Sequence, residues 1–308
     1  MLLRFLLWGS TLSAALLITP LLRTPLWGIG VTGLSGSQML VNSLDDGAAA
    51  QWVSQPESNA AVLAAIAPSK VIYLAETHND LADHVAQLEI IEALAQKGEI
   101  TIGLEMFQRP FQPVLDAYLS GDITEVELIA QSEYETRWGF DWDLYAPIVR
   151  YAKANQIPLV ALNTPAEVTR KVAREGLQSL SGDELTYIPP IPEIDTTNED
   201  YRAWLKAVFG AHGGMGHSLD FENFFAAQVL WDETMAEQIA QQLRLHEDRQ
   251  VIVLAGEGHI VNDYGIPSRV ARRVPEVEQR SVRLVSVAEA AEPSTTDFIW
   301  ITPELAQE

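Results

Sequence analysis

The chain has 308 residues, 47% of them apolar, and a formal net charge of −22. That composition fits a globular protein with a substantial core, and the negative charge argues against nucleic acid and anionic lipid surfaces as partners. There is no cysteine, which excludes disulfides, zinc–thiolate sites, iron–sulfur clusters, a cysteine nucleophile and lipid attachment through cysteine.

Arg4 precedes an uncharged run, Phe5 to Leu22, rich in Leu and Ala, and Arg23 closes it. The run is near the lower length limit for a membrane-spanning helix and long for a signal-peptide core. Pro20 breaks its far end. Residues 1–36 are therefore read as a secretory signal or an uncleaved anchor. The rest of the chain is expected to be exported, either periplasmic or tethered to a membrane only through this segment. Residues 37–64 read as a Gly/Ser-rich linker and a short helix.

The first buried strand is Val71-Ile72-Tyr73-Leu74-Ala75, followed by Glu76-Thr77-His78. A continuous apolar run of this length suits a strand covered on both faces of a parallel sheet. Leu81, Val85, Leu88, Ile91 and Leu94 then recur at helical spacing, with Asn79 or Asp80 as cap and Gly98 as stop. His84, with Gln87 one turn further, is read as a helix-surface histidine, the alternative being a place behind the strand-end site. Thr101 to Glu105 is a second strand, and two short helices flank Gly121-Asp122. Trp138 to Ala154 begins aromatic and turns helical. Pro158 to Asn163 is a third strand, and Asn163-Thr164-Pro165 starts a helix.

Residues 166–245 hold no strand pattern. They read as helices with a Pro-rich break and a loop in which His212 and His217 flank glycines. A long helix runs from about Phe221 to Leu245. Val251 to Ala255 nearly repeats the first strand and leads into Gly256-Glu257-Gly258-His259; Val282 to Val287 and Phe298 to Ile301 complete the set. The expected fold class is α/β: a mostly parallel sheet flanked by helices, with an inserted all-helical subdomain roofing the C-terminal edge of the strands. The sheet domain spans 65–165 and 246–302, and the helical subdomain 166–245.

Glu76 and His78, Glu105, Asn163, and Glu257 with His259 all stand at strand ends, where open α/β sheets place ligand sites. His78, His259 and Glu105 could bind Zn, Mn or Fe. Glu76 or Glu257 could then act as general base toward metal-bound water. Without metal, a histidine beside a carboxylate could itself activate water. Gly256 and Gly258 permit a sharp turn or close approach of a ligand. The histidines of the Gly-rich loop are lid ligands or plain loop residues. The aromatic sets around Trp142 and Trp231 are more often core than binding site, although a flat ligand needs such walls.

Taken in order, Ala75-Glu76-Thr77-His78, Gly103-Leu104-Glu105-Met106-Phe107, Trp142-x-x-Tyr145-x-Pro147, Ala161-Leu162-Asn163, Trp231-Asp232-Glu233-Thr234-Met235-Ala236 and Gly256-Glu257-Gly258-His259-Ile260 with Gly265-Ile266-Pro267 resemble the ChaN-like family. That is the haem-binding uptake group of the Tiki/TraB and erythromycin-esterase-like superfamily. The resemblance covers about residues 65–302. It implies exported, often membrane-attached proteins of haem or iron acquisition, with haem held between two protomers by tyrosine ligation. It also implies relatives that are metal-dependent peptidases or esterases built on two Gly-x-x-His motifs and glutamates. Here the first motif begins with Ala75 in place of Gly, and the missing cysteine departs from the lipoprotein members. Tyr145 lies in a matching motif and is the candidate haem ligand, with Tyr134 and Tyr201 behind it and His212 or His217 also placed at the iron. Trp142 would line the haem, and Asn163 and Asp232 the strand-end pocket. Three functions stay open: a haem-binding homodimer, a metal-dependent hydrolase, and a binding module that keeps the old site as scaffold.

Overall fold

The computed structural model describes residues 58–211, 220–290 and 294–305. The targeting segment expected over 1–36, and the loop carrying His212 and His217, lie outside the described residues. No helix among the described residues is long and apolar enough to cross a membrane.

Six strands are found among the described residues: β1 (Val71–Glu76), β2 (Ile100–Gln108), β3 (Leu159–Asn163), β4 (Gln250–Gly256), β5 (Gln279–Val285) and β6 (Phe298–Ile301). They pair in parallel in the order β3-β2-β4-β1-β5-β6. The two matching segments, β1 and β4, lie side by side in register, Val71 opposite Val251 and Glu76 opposite Gly256. Their lack of hydrophobic alternation has a simple cause, because both faces of the sheet are covered. Ile72 and Leu74 join one core, whereas Val71, Tyr73 and Ala75 join another on the opposite face. Each such aliphatic side chain contributes roughly 1.5–3 kcal/mol of burial.

The helices are α1 (Asn59–Ile66), α2 (Leu81–Ala95), α3 (Gln112–Ser120), α4 (Glu125–Gln131), α5 (Tyr134–Arg137), α6 (Trp142–Ala154), α7 (Ala166–Glu175), α8 (Glu199–Ala211), α9 (Phe221–Leu245) and α10 (Ile266–Arg273). Of the two caps expected for α2, Asp80 is the one used: its side chain accepts from the Ala82 amide. Residues of α1 to α6 build the core on one sheet face. The C-terminal half of α9 and α10 cover the other, through Met235, Ala236, Ile239, Leu243, Ile266 and Val270. The N-terminal half of α9 packs Phe224, Phe225, Val229 and Leu230 with α7 and α8 into a third core. One continuous helix thus serves both the sheet and the helical subdomain, and the division expected at 245/246 does not separate them.

Strand β5 begins and ends earlier than its apolar residues suggest. Gln279 and Arg280 are recruited because they pair with Val71 and Ile72. Ser286 instead turns the chain by donating from its amide and hydroxyl to Glu289. At the opposite edge, the Gln112 side chain accepts from the Ala161 amide and donates to the Leu159 carbonyl. It occupies part of the free edge of β3, which limits edge-to-edge association.

Candidate functional site

The strand order sets the polar ends side by side: Asn163 at the end of β3, Glu105 within β2, the Gly256–His259 turn at the end of β4, and Glu76–His78 at the end of β1. All are buried: Glu76, His78, Glu105, Asn163 and His259 expose between 1% and 5% of their surface. Gly256 permits the close fit. A Cβ there would stand 2.7 Å from both Cε1 and Nε2 of His78 and 3.7 Å from Oε2 of Glu105. The same glycine donates its amide to Glu105 Oε2 at 2.7 Å.

On the β1 side, Glu76 Oε1 lies 2.8 Å from His78 Nδ1 and accepts from the Tyr145 hydroxyl at 2.6 Å. Its Oε2 accepts from Gln87 Nε2 at 2.6 Å. With Glu76 taking up Nδ1, the His78 ring presents Nε2 toward Gly256. His84 lies behind this group, its Nε2 donating to the His78 carbonyl at 3.0 Å. The His78 ring contacts Trp138 and Phe140, with centroids 4.7 and 4.9 Å away.

On the β4 side, His259 Nδ1 donates to Asp232 Oδ1 at 2.6 Å, and Gln228 Nε2 lies 3.1 Å from the same nitrogen. Asp232 accepts a second bond, from the Tyr201 hydroxyl at 2.7 Å. Across the ring, His259 Nε2 is 3.4 Å from Glu105 Oε1, an ion-pair distance. That nitrogen is buried and has no hydrogen-bond partner. Trp231 lies edge-on to the ring at 5.3 Å, and its indole N–H donates to Asn163 Oδ1. Asn163 donates in turn to the Glu105 carbonyl at 2.7 Å.

Burial opposes charge throughout this centre, yet the carboxylates and imidazoles hold one another ionised. Burial raises the Glu76 carboxyl, but His84, His78 and Tyr145 outweigh it and bring the group down to about 2. Burial likewise works against ionised Glu105, and the charge of His259 overcomes it, so Glu105 too stays below its ordinary range. His259 is disfavoured as a cation by burial, then favoured by Glu105 and Asp232, and is pushed up to about 10. His78 is raised as well, despite burial, by Glu76 and Glu105 and against the repulsion of His259. At neutral pH His259 is therefore a proton donor at Nε2. Asp83, buried beside the Glu76–His78 turn and accepting from the Thr77 amide, is pushed up to about 8, chiefly by burial and then by Asp80 and Glu76.

Several expectations are corrected here. Glu257 is not the base at the histidines; it pairs at 2.8 Å with Arg283 on β5. Tyr145 is fully buried, donates to Glu76, and is held protonated by burial and by that carboxylate, so its oxygen is not open to haem iron. Tyr134 and Tyr201 are buried too. Trp142 lines the aromatic core rather than a haem: its indole donates to Glu125 and its ring meets Tyr134 edge-on at 4.9 Å. Among the described residues no group of three or more His, Asp or Glu is arranged to hold a metal ion, the expected set of His78, His259 and Glu105 included. Each Nδ1 faces a carboxylate, and Glu105 Oε2 receives the Gly256 amide.

Sequence reasoning favoured the helix surface for His84, with Gln87 one turn further, over a place behind the site, and missed Gln228. All three are buried, not surface residues. The signal was present in part: His84 and Gln87 continue the inward stripe of Ile91 and Leu94 at three- and four-residue spacing, and Gln228 lies one turn before Asp232.

A family model described as haem-binding uptake, Tiki superfamily, ChaN matches residues 62–270. Protein RETICULATA-RELATED 5, chloroplastic, of Arabidopsis thaliana is 24% identical over 252 residues, which cover 75% of this chain and 34% of that protein. The chain thus spans about a third of the length of this curated relative. Among solved structures, ChaN of Campylobacter jejuni, described with cofacial haem, aligns with a TM-score of 0.61 at 18% identity, covering 80% of this chain and 92% of that one. That likeness shows the fold. An erythromycin esterase mutant in its open conformation aligns with a TM-score of 0.44 at 15% identity, covering 73% and 72% of the two chains.

Proposed function

Because this chain belongs to the haem-binding uptake family of the Tiki superfamily that includes ChaN, we propose that it binds haem as cargo and serves haem or iron handling outside the cytoplasm. The observation that carries the reading at the residue level is exposure. Of the eight tyrosines, Tyr187 alone is in the exposed range, at 38%, and Leu185 beside it is exposed at 42%. A tyrosine offered to haem iron must present its oxygen at the surface, and an apolar neighbour suits the porphyrin face. The backbone there is held by Arg109, which donates to the Tyr187 carbonyl at 3.0 Å and pairs with Glu237 at 2.7 Å. In this reading two copies face one another across paired haems, and the apolar run Phe5 to Leu22 directs export or anchors the chain.

Hemin titrated into the purified protein is expected to give the Soret band of bound haem, with a shift in elution volume if two copies pair. Tyr187→Phe should weaken or shift the band, and Tyr145→Phe should leave it. A titration with no band removes the reading; a band sensitive only to Tyr145→Phe moves the ligand inside the fold. Cell fractionation of the full chain, with and without residues 1–36, tests export.

A second reading belongs to the buried centre: hydrolysis, with the histidines and their carboxylates moving the protons. It is favoured by two buried imidazoles whose Nδ1 atoms are each fixed by a carboxylate, with His259 Nε2 facing Glu105 at 3.4 Å. Glu76 and Asp232 orient the rings and set which nitrogen faces the pocket. Hydrolysis of a simple activated ester above background, lost in His78→Gln with the fold retained by circular dichroism, is the expected result.

A further inference from the structure

We propose that a cavity between α10 and β5, apart from the strand-end centre, binds a small organic cation through a primary ammonium group.

The cavity follows from the way the sheet is covered. Tyr73 on β1 stands opposite Ser281 on β5, and Val71 stands opposite Gln279, so all four share the sheet face that α9 and α10 cover. The core on that face takes residues from β1, β3 and β4 and none from β5 or β6. Where an apolar side chain would continue it, β5 presents Gln279 and Ser281. The result is a cavity of about 350 Å³ whose walls include Tyr73, Asp263, Ser268, Gln279, Ser281 and Asp297. That volume lies in the range of small-molecule sites.

Its polar groups are held in place. Tyr73 is fully buried, and Ser281 is 2% exposed. Asp297 Oδ2 accepts from the Ser281 amide at 2.8 Å and from its hydroxyl at 3.1 Å. The Asp297 amide donates back to Ser281 Oγ at 3.0 Å. Asn262 and Asp263 both lie in the left-handed region of the backbone. The Asn262 amide donates to Thr295 Oγ1 at 3.0 Å, which ties their turn to the segment that carries Asp297.

The class of ligand follows from the balance of donors and acceptors. Tyr73 gives its proton to Gln279 Oε1, which leaves its oxygen as an acceptor. Ser268 gives its own to the Tyr264 and Gly265 carbonyls, with the same result. Asp297 Oδ1 and the Asp263 carboxylate take no hydrogen bond and no ion pair among the described residues. Arg280, also in the lining, is engaged by Glu278 at 2.8 Å. A wall rich in acceptors, with two carboxylates unmatched by a cation, fits a ligand that brings positive charge and several donors. An ammonium group brings three. A metal ion fits less well, because no group of three or more His, Asp or Glu among the described residues is arranged to hold one. The two carboxylates also feel each other: burial and then Asp297 raise the Asp263 carboxyl to about 6. A cation beside both relieves that repulsion.

The test is calorimetric titration of 1,4-diaminobutane into the full chain at neutral pH and about 0.15 M salt. Saturable binding of one molecule per chain is expected, and none of 1,4-butanediol. Asp263→Asn and Asp297→Asn should each weaken it at least about tenfold, the effect of losing one charge a few ångströms from the ligand. Asn tolerates left-handed backbone at 263, and at 297 it still accepts from Ser281. Glu89→Gln removes the same charge at an exposed position of α2, on the opposite face of the sheet. It should leave the affinity within about twofold, because salt screens a distant exposed charge. Absence of saturable binding overturns the site. So does an equal loss in Glu89→Gln, which would trace the attraction to net charge. Equal binding of the diol overturns the ammonium class, and displacement of the diamine by an equal concentration of magnesium chloride overturns the choice of an organic cation.

Discussion

At the scale of single residues, the centre is organised by carboxylates that accept several bonds at once. Glu76 receives His78 Nδ1, the Tyr145 hydroxyl and Gln87 Nε2. Glu76→Gln puts an amide N–H against these donors and removes the charge that stabilises His78. We expect a loss on the order of 3 kcal/mol, as for a broken buried ion pair, measured by denaturant unfolding. Asp83 gives the opposite sign. Its carboxyl is raised from 3.8 to about 8 in the fold, so its contribution to stability is full below the lower value and is lost as pH rises through the upper one. Asp83→Asn keeps an acceptor for the Thr77 amide and cannot ionise. Thermal melts should therefore show the variant gaining on the parent between about pH 4 and 8, with the largest gain at the alkaline end. A variant curve parallel to the parent's would mean that Asp83 is not the buried titrating group.

At the scale of elements, glycines decide how close the strand ends and the following turns can come. Gly265 precedes α10, and a Cβ there would collide with the backbone carbonyl of His259. Backbone cannot yield as a side chain can, so Gly265→Ala should cost several kcal/mol, of the order seen for severe overpacking, and displace His259. At Gly103 the added methyl meets only the Leu162 side chain, at 2.9 Å, which can change rotamer. That substitution should cost about 1 kcal/mol or less. Chemical denaturation of the two variants checks the ordering. Helix α9 has a related double duty. Its Asp232 enters the site, while the next residue, Glu233, is buried and joins Arg269, Arg272 and Arg273. The helix is thereby clamped to α10, and the orienting carboxylate of His259 is held with it.

At the scale of the whole molecule, the net charge of −22 sets a broad self-repulsion. Added sodium chloride screens it, so the melting temperature should rise from low salt to about 0.5 M. A fall would mean that local ion pairs, such as those on Glu233, outweigh the repulsion. Tyr187 stands at the surface, whereas His78 and His259 are buried, so the surface proposed for haem and the strand-end centre are separate.

The amino-acid sequence alone determined the strands, since apolar runs such as Val71–Ala75 and Val251–Ala255 suit only positions buried on both faces, and their pairing in register was foreshadowed by their likeness. It also determined that Glu76, His78, Glu105 and His259 would share one sheet edge, because parallel strands end together. Which carboxylate serves which imidazole was decided only by tertiary structure. Glu257, two residues from His259, turns to Arg283, while Asp232 arrives from α9 to take Nδ1. Tyr145 likewise turned from candidate iron ligand to buried donor because α6 packs its ring between His84 and Trp138. Side-chain direction at a turn, and the face a helix shows to a distant strand, depend on packing between remote segments, and no local pattern encodes them.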